Sequence, residues 1–337
     1  MGSNLRRVLA GMAVVALLVP ALAGCGASEP AATPEPVDEA TSPAEPAEAT
    51  NTPEPAEPTA EPTEEVEEEE ILLRTSMGAE PGTIDPNLVQ DTFGINALEG
   101  MFLGLTNINN ETEQVEPELA TDWDISEDGL VWTFHMREDA RWTNGEPVTA
   151  QDVEYSVKRA IRPETASPYA YVLYIIENAQ TINQTAIPTD TYDIETLGVS
   201  AIDDYTVEFT LEAPASYFLA ISSLWTLRPV PQATIEQHGD AWTEPENVVS
   251  NGPYMLTEWR HGEHLSFVKN PDYYDADEVQ IERVEVDIIT DQFTEIALYE
   301  SGELDVAGEG PGSLPVEEIK RIKANTELSD ELHEGPR

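Results

Sequence analysis

From Ile71 onward, short apolar runs alternate with amphipathic stretches and clusters of turn-forming residues. Ile71-Leu72-Leu73-Arg74-Thr75-Ser76-Met77 has the length and composition of a strand, and Glu80-Pro81-Gly82-Thr83-Ile84-Asp85-Pro86 after it is rich in turn formers. Phe93, Ala97, Leu98 and Met101 recur at helical spacing, which predicts a helix over 93–102 closed near Gly104. Val131-Trp132-Thr133-Phe134-His135-Met136 alternates like a half-buried strand. Asn144-Gly145 marks a tight turn. Thr149 with Asp152 three residues on has the form of a capping box, so a helix is expected from there to about Ile161, ended by Pro163. Further strands are predicted over 206–211, 252–259, 265–269 and 284–289, and further helices over 216–224, 233–238 and 293–301. Asn251-Gly252-Pro253-Tyr254 reads as a turn feeding a strand, with Gly252 supplying a positive φ. Strands interleaved with helices give an α/β architecture.

The first 70 residues follow a different pattern. Arg6 and Arg7 precede an apolar stretch over 8–19 that is too short for a comfortable membrane span, and Leu22-Ala23-Gly24-Cys25 follows. This run resembles the lipobox of bacterial lipoproteins. The resemblance implies a signal peptide over 1–24, removed on export, and a diacylated Cys25 that becomes the N-terminus and holds the protein to the membrane. The alternative is an ordinary secretory signal with a chance cysteine. Several acyl chains anchor a domain firmly, because each buried methylene contributes about 0.8 kcal/mol. Residues 26–70 hold nine Pro, 15 acidic residues and no basic ones, with hardly an apolar side chain larger than Ala. Such a segment cannot bury enough surface to offset its ordering entropy, so residues 25–70 are expected to form a disordered acidic spacer rather than a partner-binding tail.

Charge and cysteine content narrow the function. The chain of 337 residues has a formal charge of −50, and residues 71–337 carry 51 acidic and 14 basic side chains, net −37. So acidic a body repels phosphate backbones, which excludes nucleic acid as a partner. A single cysteine permits no intrachain disulfide and no cysteine-rich metal site. His261 and His264, with Glu263 between them, suggest a metal site only weakly: across a turn they lack the i, i+4 geometry of the zinc-hydrolase motif, and no third ligand is evident, so no metal or other cofactor is expected. No G-x-S-x-G occurs, and chance pairs among 51 acids carry no argument for glycoside cleavage. Nothing asks for an enzyme.

Seven motifs run in order through residues 80–306: EPGTIDP, PELATDW, DGLVWTFHMREDARWTNGEPVTAQDVEYSVKRA, TASPYA, DAWTEPENVVSNGPYML, KNPDYY and SGELDV. On these the chain resembles the extracytoplasmic solute-binding proteins of peptide and nickel ABC importers (family 5), and TASPYA with WTEPENVVSNGPY points to the oligopeptide branch. The resemblance implies a periplasmic-binding-protein-like fold of type II, the Venus flytrap, incomplete at its C-terminus. It divides the chain into a first lobe over 71–290 with a smaller inserted domain at about 112–195, and the start of a truncated second lobe over 291–337. It implies a lipid-anchored receptor on the outer face of the cell membrane that binds extended oligopeptides and delivers them to a permease driven by ATPase subunits. A peptide receptor or chaperone without transport, and a hydrolase, are the alternatives.

Ligand residues carry over at two places. The loop after the first strand lies against the peptide main chain in this family, and its matching positions here are Gln90, Asp91 and Thr92. Main-chain pairing ignores side-chain identity, which suits a receptor for many sequences. The tyrosine of TASPYA, Tyr169, faces either ligand or an interdomain contact. Near Gly308 the family can place another ligand-facing aromatic, which this chain lacks. The acids are spread along the whole segment, so they are read as a solvated surface rather than a cleft tuned to cationic peptides.

Overall fold

The computed structural model describes residues 71–110, 112–187, 190–308, 314–325 and 328–332. The signal peptide, Cys25 and the spacer expected over 1–70 lie outside the described residues. In chain order the elements are β1 (Leu72–Met77), α1 (Thr92–Glu99), β2 (Thr106–Ile108), β3 (Val115–Pro117), β4 (Ala120–Ile125), β5 (Val131–Met136), α2 (Ala150–Ile161), α3 (Ala179–Asn183), β6 (Val199–Asp203), β7 (Thr206–Thr210), α4 (Phe218–Ile221), α5 (Gln232–His238), β8 (Tyr254–Arg260), β9 (His264–Lys269), β10 (Arg283–Ile288), α6 (Gln292–Ser301) and α7 (Val316–Ala324). Among the described residues no helix is long and apolar enough to cross a membrane.

Two four-stranded sheets organise the chain, in the orders β1-β10-β9-β8 and β4-β5-β7-β6, with β2 and β3 as a separate pair. β1 and β10 run parallel, Leu72 opposite Arg283, whereas β8, β9 and β10 are antiparallel neighbours. The second sheet is antiparallel throughout. Its strands β6 and β7 lie beyond residue 195, so the sheet outruns the expected insert of 112–195. Past residue 288 the chain stays against β1: the Ile289 N–H donates to the Met77 carbonyl at 2.9 Å, and the Asp305 N–H to the Arg74 carbonyl at 2.8 Å.

The alternation read in β5 is the organising feature of the second sheet. Trp132, Phe134 and Met136 are buried, and Phe134 packs its ring against Phe209 and Phe218 at centroid distances of 5.8 and 6.2 Å. Edge-to-face pairs of this kind add to the simple burial of area. α2 covers this region with Val153, Val157, Ala160 and Ile161, all buried. The Asp152 carboxylate accepts from the Thr149 N–H at 2.8 Å, the Thr149 hydroxyl at 2.9 Å and the Trp142 indole at 3.3 Å. Burial nevertheless pushes the Asp152 carboxyl above its ordinary pKa.

Two local expectations are corrected. The helix predicted over 216–224 is only the four residues of α4, because the Ser222 and Ser223 hydroxyls donate back to the Leu219 and Ala220 carbonyls and the chain becomes extended at Leu224. Such side-chain bonds compete with continued helix. Gly252 does not take a positive φ. Its lack of a side chain serves close approach instead: a Cβ there would lie 2.6 Å from the Met101 carbonyl carbon and 2.8 Å from the Gly100 oxygen.

Candidate functional site

The loop between β1 and α1 is fixed by a buried network that starts at Asp85. Its carboxylate receives both Arg159 Nη atoms at 2.9 and 2.6 Å, the Trp242 indole N–H at 3.0 Å and the Asn87 N–H at 2.9 Å. Asn87 accepts from Arg159 at 2.7 Å and donates to the Ser156 hydroxyl and the Thr226 carbonyl, both at 3.1 Å. The buried Asp85 carboxylate thus accepts four hydrogen bonds, two of them from its partner cation, which is the condition for tolerating an ion away from water. The network ties the loop to α2, to Trp242 and to the turn Trp225–Leu227.

The next residues are the ones expected to meet ligand. Asp91 caps α1: one carboxylate oxygen accepts from the Gly94 N–H at 2.9 Å and the other from the Gly82 N–H at 3.1 Å. Its side chain is therefore committed to holding the loop. Gln90 and Thr92 on either side are exposed. Among the described residues nothing hydrogen-bonds to the main chain of Gln90, leaving a donor and an acceptor for an outside partner.

Tyr169 follows a turn in which Ala166 holds φ 52°. Its ring stacks on Tyr171 at a centroid distance of 5.8 Å and 28°, and meets Trp225 edge-on at 5.1 Å and 76°. Trp225 opens the turn whose Thr226 carbonyl is held by Asn87, so Tyr169 and the ligand loop share one support. Asp85, Arg159 and Trp225 were not singled out by sequence reasoning. Asp85 lies inside the EPGTIDP motif, but nothing in the spacing pairs it with Arg159 in α2.

A second charged cluster lies at the C-terminal end of α1. Arg228, 3% exposed, pairs with Glu99 at 2.5 Å and donates to the Phe102 carbonyl at 2.8 Å. Glu118 lies near it and accepts from the Gly104 N–H. Burial drives the Glu118 carboxyl up to about 7, against the pull of Arg228 and the Gly104 N–H. The two histidines of the β8–β9 hairpin diverge. His261 bridges Glu80 at 2.9 Å and Glu244 at 3.3 Å, and the hydrogen bond to Glu80 raises its pKa. His264 contacts Asp287 at 2.8 Å and Glu285 at 2.5 Å. Among the described residues no group of three or more His, Cys, Asp or Glu side chains could hold a metal ion. At the position expected to have lost an aromatic, the Gly308 N–H donates to buried Glu295 at 2.9 Å, and the Ser76 hydroxyl donates to the same oxygen at 2.7 Å.

The family model of bacterial extracellular solute-binding proteins, family 5 Middle, matches residues 114–336. The periplasmic oligopeptide-binding protein OppA of Escherichia coli (strain K12) is 36% identical over 271 residues, covering 80% of this chain and 48% of that protein. The probable deoxycholate-binding periplasmic protein YgiS of the same organism is 35% identical over 266 residues, covering 79% of this chain and 48% of that one. The crystal structure of Haemophilus influenzae OppA in complex with RPPGFSPFR matches with a TM-score of 0.70 at 33% identity, over 76% of this chain and 48% of that chain. The chain spans about half the length of the curated relatives it matches.

Proposed function

The chain belongs to the bacterial extracellular solute-binding proteins of family 5, and from this premise we propose that it is the receptor part of an ABC importer, binding extended oligopeptides and handing them to a membrane permease and its ATPase. The receptor stands outside the cytoplasm, tethered through lipid on Cys25. Gln90, Asp91 and Thr92 line the main chain of the ligand and Tyr169 packs beside it, with no cofactor and no bond made or broken. One observation supports this above the others: the loop riveted by Asp85 and Arg159 presents an unengaged main chain at Gln90, on the same support as the ring of Tyr169. An added strand gains affinity from peptide groups common to all sequences.

The test is to incubate the chain with a defined peptide mixture to which deoxycholate is added, and to identify by mass spectrometry what is retained. Intact peptides are expected. Retention of none, or recovery of cleaved peptides, would refute the proposal; retention of deoxycholate in place of peptides would reassign the ligand class. For the tether, Cys25→Ser should move the protein from the membrane fraction to the soluble one.

A further inference from the structure

We propose that Tyr171 and Trp225 act with Tyr169 as a three-ring surface that selects an aromatic side chain in the bound peptide; this rests on the peptide-binding reading above. Tyr169 stands in the middle, stacked on Tyr171 at 5.8 Å and edge-on to Trp225 at 5.1 Å. The two tyrosines are brought together by the short 3-10 turn Ala170–Leu173, which is pinned from beneath by buried Ala170 and Leu173. Trp225 arrives from a distant part of the chain and is held by the Asn87 bond to Thr226.

An aromatic cluster that only fills space covers its rings and gives each polar tip a partner. This one does neither. Tyr171 is 59% exposed. Among the described residues, no hydrogen bond engages the hydroxyl of Tyr169 or Tyr171, and the Trp225 indole N–H is buried with no acceptor. The open ring of Tyr171 and the two tyrosine hydroxyls are thus unspent, beside the half-buried rings of Tyr169 and Trp225, on the support that also carries the ligand loop. Rings supply large contact area at little rotamer cost, and free hydroxyls both donate to and accept from varied polar neighbours. A flat aromatic side chain fits such a surface better than an aliphatic or charged one. The strength of one aromatic pair corresponds to about a tenfold preference.

The experiment measures calorimetric affinities for tetra-alanine and for four variants of it, each with phenylalanine at one position. The unaltered chain should bind the best phenylalanine peptide about tenfold more tightly than tetra-alanine. Tyr171→Ala should erase most of that preference through a selective loss on the phenylalanine peptide, and Trp225→Phe, which keeps a ring, should erase less. Tyr217→Ala removes another exposed ring, 62% exposed and outside the cluster, and should leave the preference as it was. A preference that survives Tyr171→Ala, or equal losses on both peptides, would overturn the inference while leaving peptide binding in place. No binding of any of the five peptides by the unaltered chain would instead remove the peptide-binding reading, and the three-ring surface with it.

Discussion

Glu118→Gln should flatten the pH dependence of stability by a predictable amount. In the folded chain burial lifts the Glu118 carboxyl from 4.5 to about 7. The nearby cation does not reverse this, because Arg228 is already paired with Glu99 and the Phe102 carbonyl. Between those two pH values the folded state keeps a proton that the unfolded chain has released. Stability from this group is therefore fully present below pH 4.5 and is lost as pH rises through about 7. A shift of this size at about 1.4 kcal/mol per pH unit makes the loss about 3 kcal/mol. Glutamine keeps an acceptor for the Gly104 N–H and cannot ionise, so any cost of the substitution is the same at every pH. The assay is urea unfolding of both proteins from pH 4.5 to pH 8.5, read as the difference between their free energies. All other carboxylates are common to the two and cancel. The difference should change by about 3 kcal/mol across the range in favour of glutamine at high pH. Parallel curves would refute the assignment of Glu118 as a buried carboxyl that is protonated below neutrality.

Asp85→Asn leaves Arg159 as an uncompensated buried cation and should cost about 3–5 kcal/mol, seen as a lower urea midpoint at constant slope. Gly252→Ala drives a methyl group into the Met101 and Gly100 backbone and should cost about 1–3 kcal/mol, measured as a fall in melting temperature. His261 is favoured in its charged form by Glu80 and Glu244, so its contribution is full below the pKa of the unfolded chain and fades as pH rises through the higher folded value. NMR titration should show the raised value, and Glu80→Gln should lower it.

Much of the scaffold is legible because its strands and helices advertise one wet and one dry face. β5 and α2 match their predicted ranges, since Trp132, Phe134 and Met136 alternate and Val153, Val157 and Ile161 recur at helical spacing. β4 and β6 escape notice for the opposite reason. Both are edge strands, and Ala120–Ile125 is mostly exposed, so no apolar alternation marks it. α4 shortens because serine hydroxyls, whose conformations the pattern does not encode, divert the carbonyls. Of the candidate site, Asp91 was legible as a position but not as a cap that spends both carboxylate oxygens on Gly82 and Gly94. The meeting of Tyr169 with Trp225 is a product of folding and leaves no trace in local spacing.

The parallel pairing of β1 with β10 sets an order of assembly on the ribosome. The strands of the second sheet are all synthesised between residues 120 and 210 and can pair as they emerge, whereas β1 waits for Arg283–Ile288 before it has a neighbour. Pairing across so long a separation carries a closure cost that local hairpins avoid. Translation that stalls before residue 283 leaves β1 an orphan, and the nascent chain exposes that strand to proteases and to other chains for as long as the stall lasts.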